Sequence, residues 1–242
     1  MDREKQKGVI RHGVFLTLAL LVLSAVYGMN VLKSSNYFPI KKVRVIGLQN
    51  LDKKDVKQTL EPLVTRGFFS VDVEHIRDRL QQMPWVSDTL VRRTWPDEVT
   101  VTIIEKEVIA RWNNESLLSM DGNLFVPKES SYPGGLADFV GPDGQQIVML
   151  KYFDSINRIL GPLHAKISYL ELTPYLTWKL RLDNGMTLKV GHNDILTRLA
   201  HFVKVYPKIV GDRGADVEYV DLRYPNGMAV RWKKMQADRS KV

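Results

Sequence analysis

The stretch that most constrains this chain is one uncharged apolar run, Gly13 to Leu32. As a helix rising about 1.5 Å per residue it would cover roughly 30 Å, the thickness of a bilayer's hydrocarbon core. Arg3, Lys5, Lys7 and Arg11 precede it, whereas Lys33 stands alone after it until Lys41. That asymmetry keeps the short N-terminal side in the cytoplasm and sends the rest of the chain across. A cleaved signal peptide is the other reading of such a run. The apolar core here is too long for one, and Ser24-Ala25-Val26 and Val26-Tyr27-Gly28 make poor cleavage sites. No polar stripe interrupts the run at helical period, which argues against a buried core helix. The expectation is a cytoplasmic tail at 1–12 and a retained transmembrane helix at 13–32.

With 242 residues, 44% of them hydrophobic, the chain has room for two small domains beyond the anchor. Cysteine is absent, so neither a disulfide framework nor a thiolate metal site exists. The net charge of +8 sits partly beside the anchor and partly in the tail at Lys233, Lys234, Arg239 and Lys241. No dense basic stripe, glycine-rich phosphate cradle or aromatic stacking ladder accompanies it, which speaks against nucleic acid.

Beyond a polar spacer at Ser34-Ser35-Asn36, Val43 and Val45 share one face of a half-buried strand. Asp52 is placed to cap a helix carrying Val56, Leu60, Leu63 and Val64, with Pro62 at its end. Val73, Ile76, Leu80 and Met83 mark a second helix, stopped by Pro84. Trp85 to Arg93 reads as a strand, Trp95-Pro96-Asp97-Glu98 as a turn, and Val99 to Ile104 as its antiparallel partner. Strand, helix, helix, strand, strand, with both helices on one face of the sheet, is the arrangement of a polypeptide-transport-associated (POTRA) domain.

From residue 107 the pattern changes. Ile109 to Leu118 and Leu124 to Val126 read as strands around an Asp121-Gly122 turn. After loops at Ser130 to Gly135 and Gly141 to Gly144, Met149, Tyr152, Phe153, Ile156, Ile159 and Leu160 form an amphipathic helix, stopped by Gly161-Pro162. Lys166 to Leu172 is a strand. Leu176, Trp178, Leu180 and Leu182 alternate, Asn184-Gly185 turns the chain, and Met186, Leu188 and Val190 alternate again. Asn193 or Asp194 caps a helix running to Pro207. Val217 to Tyr224 and Met228 to Trp232 are the final strands, joined at Pro225-Asn226-Gly227. The pattern predicts an α+β protein: POTRA domain at 33–106, mostly antiparallel β domain with helices at 107–233, disordered charged tail at 234–242.

Certain residues carry a resemblance: Pro84-Trp85-Val86, Val91 to Glu98, Glu105, Ala110-Arg111-Trp112, Asp121 to Phe125, Arg198 to Pro207, and Tyr219 to Tyr224. In this order and spacing the chain resembles the bacterial cell-division family FtsQ/DivIB over nearly its whole length. Val108 departs from the pattern, since many relatives place a proline there, leaving the hinge between domains less rigid. The resemblance implies a bitopic inner-membrane scaffold of the divisome, required for septum formation, located at the division septum with its C-terminal domains in the periplasm. It implies partners FtsB and FtsL, with further contacts to FtsK and to the septal synthesis proteins FtsW and FtsI. It places the partner contacts on Arg223, Tyr224, Asn226, Gly227 and Trp232.

No catalytic constellation is evident, and the expectation is a binding protein without cofactor. Ser119 lacks a nucleophile-elbow context. His12, His75, His164, His192 and His201 show no metal-ligand spacing. Asp183 at a hairpin turn and Asp194 near a helix cap suit structural roles, and Asn114-Glu115-Ser116 is a sequon by chance. A domain ending in an uncovered strand can instead recruit partners by strand addition. In that role Tyr224 and Trp232 supply rigid apolar area, Arg223 a partner for a carboxylate, and Gly227 a close backbone approach. Two alternatives stand beside it. An anchored wall hydrolase needs clustered carboxylates that the sequence lacks. A membrane-anchored POTRA-type accessory of secretion or outer-membrane assembly calls for repeated POTRA units, and one is present.

Overall fold

The computed structural model describes residues 2–33, 38–225 and 227–233. The expected spacer at 34–36, Asn226 and the expected disordered tail at 234–242 therefore lie outside the described residues. The chain divides into two compact units, residues 1–105 and 106–242.

The first unit opens with helix α1, Asp2–Lys33, which begins well before the apolar run. Its described side chains, Leu16 to Val31, carry no charge. Leu16, Leu18, Leu20, Leu21, Val22, Leu23, Val26, Tyr27 and Met29 are all exposed. Among the described residues no helix is long and apolar enough to cross a membrane.

Strand β1 (Lys42–Ile46), helices α2 (Lys53–Leu60) and α3 (Val73–Gln81), and strands β2 (Val86–Thr94) and β3 (Glu98–Glu105) follow. The sheet order is β1-β3-β2, with β1 parallel and β2 antiparallel to the central strand. Burial of β3 alternates because every second side chain faces the helices: Val99, Val101 and Ile103 are buried with Val56, Leu60, Ile76, Leu80 and Trp85. Asp52 caps α2 as its position predicts, accepting from the Lys54 N–H at 2.8 Å, and Asp72 does the same for α3 through His75 N–H at 3.0 Å. Glu105 ends β3. Its carboxylate accepts the backbone N–H groups of Gln49, Asn50 and Leu51 at 2.8, 2.8 and 3.0 Å, so it ties down the loop between β1 and α2. Burial alone would push this carboxyl up, but those three N–H bonds outweigh it and hold Glu105 below the usual range.

The second unit is a nine-stranded sheet with two helices. Its strands are β4 (Val108–Trp112), β5 (Ser116–Ser119), β6 (Leu124–Phe125), β7 (Ala137–Val140), β8 (Ile167–Leu172), β9 (Trp178–Leu182), β10 (Thr187–Gly191), β11 (Val217–Asp221) and β12 (Ala229–Trp232). Helix α4 (Gln146–Leu160) lies between β7 and β8, and α5 (Ile195–Ile209) between β10 and β11. The order is β12-β11-β10-β9-β8-β7-β4-β5-β6. Five pairings are antiparallel and three parallel, each parallel one spanning a longer connection. Both helices pack over the sheet and against each other. The core holds Phe139, Met149, Ile156, Leu170, Leu180, Leu188, Leu199, Phe202 and Val220. The architecture is α+β.

Several expectations need correction. The run 109–118 is two strands, because Asn113 and Asn114 adopt left-handed backbone (φ 50° and 61°) that asparagine tolerates and that turns the chain back. Leu176 is not in a strand. It sits exposed at φ 58° in a turn whose ends are joined by the Thr173 and Thr177 hydroxyls at 2.6 Å. Pro207 does not close α5, which continues to Ile209. In the last turn the proline forfeits only its own N–H bond, and Val210 N–H resumes the ladder to Tyr206 O at 2.8 Å. Asp194 occupies the cap position but makes no side-chain cap bond. The last long strand stops at Asp221, so Arg223 and Tyr224 belong to the connection after β11. Strand β7, four residues among loops, had no periodic signal.

Candidate functional site

The final connection and strand lie at one edge of the large sheet. Strand β12 pairs only with β11, through Tyr219 opposite Arg231, Val220 opposite Val230 and Asp221 opposite Ala229. Its other edge carries no strand among the described residues. Alternate residues of β12 face differently: Val230 and Trp232 are half-buried against the core, while Ala229 and Arg231 are exposed.

The residues expected to contact a partner are placed as follows. Arg223 and Tyr224 are adjacent and exposed in the connection, and Tyr224 keeps 56% of its surface open. Gly227 is exposed in open space. Asn226 lies outside the described residues. Trp232, at the end of β12, is half-buried, and the Arg213 guanidinium stacks over its ring at 4.2 Å. Trp232 is therefore partly a core residue, with one face taken by Arg213.

Arg223 is already engaged. Its Nη2 donates to Asp221 Oδ2 at 2.6 Å and its Nε to Oδ1 at 2.9 Å, while its backbone N–H also reaches Oδ1 at 3.1 Å. The Arg223 guanidinium holds the buried Asp221 carboxyl below the usual aspartate range, against the opposing effect of burial. Gly191, at φ 92°, makes room for this clamp, since a Cβ there would press on Arg223 Cγ at 3.3 Å.

A groove of about 450 Å³ runs beside Tyr224 between α5 and the connection, lined by Thr197, Arg198, His201, Leu222, Tyr224 and Met228 among others. Arg198 organises it. Its guanidinium donates to the carbonyl of Leu222 and more weakly to that of Tyr224 at 3.4 Å, and its Nε donates to Asn193 O at 3.0 Å. A single side chain on α5 thus holds the backbone that presents Tyr224. Neither Arg198 nor His201 stands out in sequence as a site residue, because only the fold brings α5 beside the last connection. The edge also carries stacked cations: Lys189 Nζ lies 4.0 Å and the Arg231 guanidinium 5.7 Å from the Tyr219 ring.

Among the described residues no group of three or more His, Cys, Asp or Glu could hold a metal ion. What the arrangement offers is an open strand edge, an adjacent polar–apolar groove and an exposed tyrosine, the features of a peptide-recognition surface.

Comparison with known proteins agrees with a POTRA domain followed by a division-protein β domain. Residues 38–106 match the family described as "POTRA domain, FtsQ-type", and residues 110–223 match "Cell division protein FtsQ/DivIB, C-terminal". Cell division protein FtsQ of Coxiella burnetii is 33% identical over 218 residues, covering 89% of this chain and 90% of that protein. FtsQ of Burkholderia pseudomallei is also 33% identical, over 88% of this chain and 87% of its own. FtsQ of Escherichia coli is 30% identical over 99% of this chain and 91% of its own. The chain belongs to the FtsQ family of cell division proteins.

Proposed function

We propose that this protein is a bitopic scaffold of the divisome, anchored in the inner membrane by residues 13–32, that recruits FtsB and FtsL in the periplasm by strand addition at β12. The carrying observation is the open edge of β12 beside the Arg198–Tyr224 groove. An incoming segment satisfies the unpaired backbone groups of β12, and Tyr224 and the groove read its side chains. Arg223, Tyr224, Asn226, Gly227 and Trp232 form or support that contact, and the protein acts by binding rather than catalysis. Through FtsB and FtsL it links early division proteins to septal peptidoglycan synthesis by FtsW and FtsI, with FtsK as a further partner. The uncharged exposed helix from Leu16 to Val31 supports the anchor, since that many open leucines need an apolar surrounding.

Hydrogen exchange tests the reading directly. Adding a periplasmic FtsB–FtsL fragment to the full chain in lipid nanodiscs should slow exchange at the backbone amides of 229–232. Protection that appears elsewhere and spares β12 would overturn it.

A further inference from the structure

Four aromatic side chains meet at one end of the POTRA sheet, and two of them stay open. Phe38, Phe68, Phe69 and Trp95 come from three separate segments: the chain entering β1, the loop between α2 and α3, and the turn between β2 and β3. The Phe69 ring stands edge-on to those of Phe38 and Phe68, each at 5.2 Å, and Phe68 stands edge-on to Trp95 at 5.7 Å. Phe68 is buried, but Phe69 is 41% and Trp95 64% exposed. Adjacent open rings, unlike scattered ones, mark a contact surface.

The length of chain before the cluster says what can cover it. Lys33 ends α1 and Phe38 lies five residues further on. Fully extended, that stretch reaches about 18 Å. The backbone carbonyl of Phe38 accepts the Phe68 N–H at 2.7 Å, so the tether joins the domain inside the cluster itself. A bilayer's headgroup layer is about 5–8 Å deep on each side. With the apolar run of α1 in the bilayer, the cluster is held within a short reach of the lipid surface. Tethering at that range keeps the local concentration of lipid high, which no diffusing partner matches. Aromatic rings are also the side chains that settle at the boundary between headgroups and acyl chains. The charges nearby do not oppose such contact. Both carboxylates of the Trp95 turn are answered by cations, Asp97 by Lys41 at 3.5 Å and Glu98 by Arg44 at 2.7 Å.

We propose that Phe38, Phe69 and Trp95 form a membrane-seating surface, which rests in the interfacial layer of the bilayer that holds α1. The rings dip into the boundary between headgroups and acyl chains and fix the height and tilt of the POTRA unit above the lipid. Phe68 supports them from the domain side. The inference rests on the anchor at residues 13–32 proposed above, and not on recruitment at β12.

Tryptophan emission gives the test. Trp85, Trp112 and Trp178 are buried and Trp232 is half-buried, so lipid contact at Trp95 can be read by difference. The full chain is placed in phosphatidylethanolamine–phosphatidylglycerol nanodiscs whose acyl chains carry bromine in their upper part, where it quenches an indole that touches it. Emission should fall relative to unbrominated nanodiscs. Trp95→Phe, which keeps the cluster aromatic and should leave the melting curve in place, should abolish that fall. Tyr27→Trp, added to the Trp95→Phe chain at an exposed position of α1, reports the anchor separately. Quenching of the indole at 27 with none at Trp95 would overturn the proposal and leave the anchor standing, whereas quenching at neither position would overturn both. Quenching that survives Trp95→Phe would also overturn the proposal, because lipid would then meet another tryptophan. If neither bromine nor aqueous acrylamide reaches Trp95, a protein partner or a second copy covers the cluster, and the proposal falls.

Discussion

The guanidinium of Arg223 grips the carboxylate of Asp221, two residues back, at 2.6 Å, just where the chain leaves β11. Asp221 is buried and Arg223 is open, so the pair fixes the direction of the connection that presents Tyr224. The folded carboxyl titrates below its ordinary value of 3.8. Its contribution to stability is therefore complete above that value and is lost as pH falls through the lower folded value. Asp221→Asn should cost about 1 kcal/mol at neutral pH, modest because Arg223 is solvated. Urea unfolding of both proteins should show that difference shrinking below about pH 4. A difference that persists unchanged into strong acid would mean the pair carries no charge-dependent stability.

Glu105 works the same way in the POTRA unit, holding three backbone N–H groups of the 49–51 loop. Glu105→Ala leaves those donors without their acceptor and should destabilise the unit by about 1–3 kcal/mol. Exchange at the amides of Gln49, Asn50 and Leu51 should accelerate more than exchange in β3. Uniform acceleration across the unit would show that the loop is not what Glu105 secures.

The two tryptophans flanking β2 separate core from surface. Trp85 is 2% exposed among the helices, whereas Trp95 is 64% exposed, against Phe38, Phe68 and Phe69. Trp85→Ala should cost about 3–5 kcal/mol, near the whole stability of a small domain. Trp95→Ala should cost much less. Equal losses in thermal unfolding would contradict this division.

The proposed anchor at residues 13–32 carries a prediction of orientation. If Arg3, Lys5, Lys7 and Arg11 hold the N-terminus inside as that proposal requires, a reporter active only in the periplasm, fused after Val242, should be active. An inactive reporter on a stably expressed fusion would reverse the topology.

Periodicity made much of the fold legible. Leu180 and Leu182 against Leu188 and Val190, about Asn184-Gly185, define the β9–β10 hairpin because strict alternation has one structural reading. Val99, Val101 and Ile103 mark β3 for the same reason. What stayed hidden was non-local. Nothing in Leu188 announces that it lies parallel to Val220, a pairing created by the α5 connection. The four residues of β7 are too few for a period, whereas the turn at Asn113-Asn114, polar residues that part β4 from β5, was open to a local reading. At the candidate site, the residues near Tyr224 were nameable by resemblance, but Asp221's hold on Arg223 and Arg198's hold on the Leu222 carbonyl depend on tertiary placement. So does the stacking of Arg213 on Trp232, which makes that tryptophan a mixed residue. Trp232→Ala should accordingly lower both stability and binding.

Tyr224 carries the sharper test, because it is exposed and its removal leaves the core intact. Titration of the full chain in nanodiscs with a periplasmic FtsB–FtsL fragment should show Tyr224→Ala weakening binding by about 2 kcal/mol or more, at least about thirtyfold, with an unchanged melting temperature. Wild-type affinity in that variant would contradict recruitment at the β12 edge.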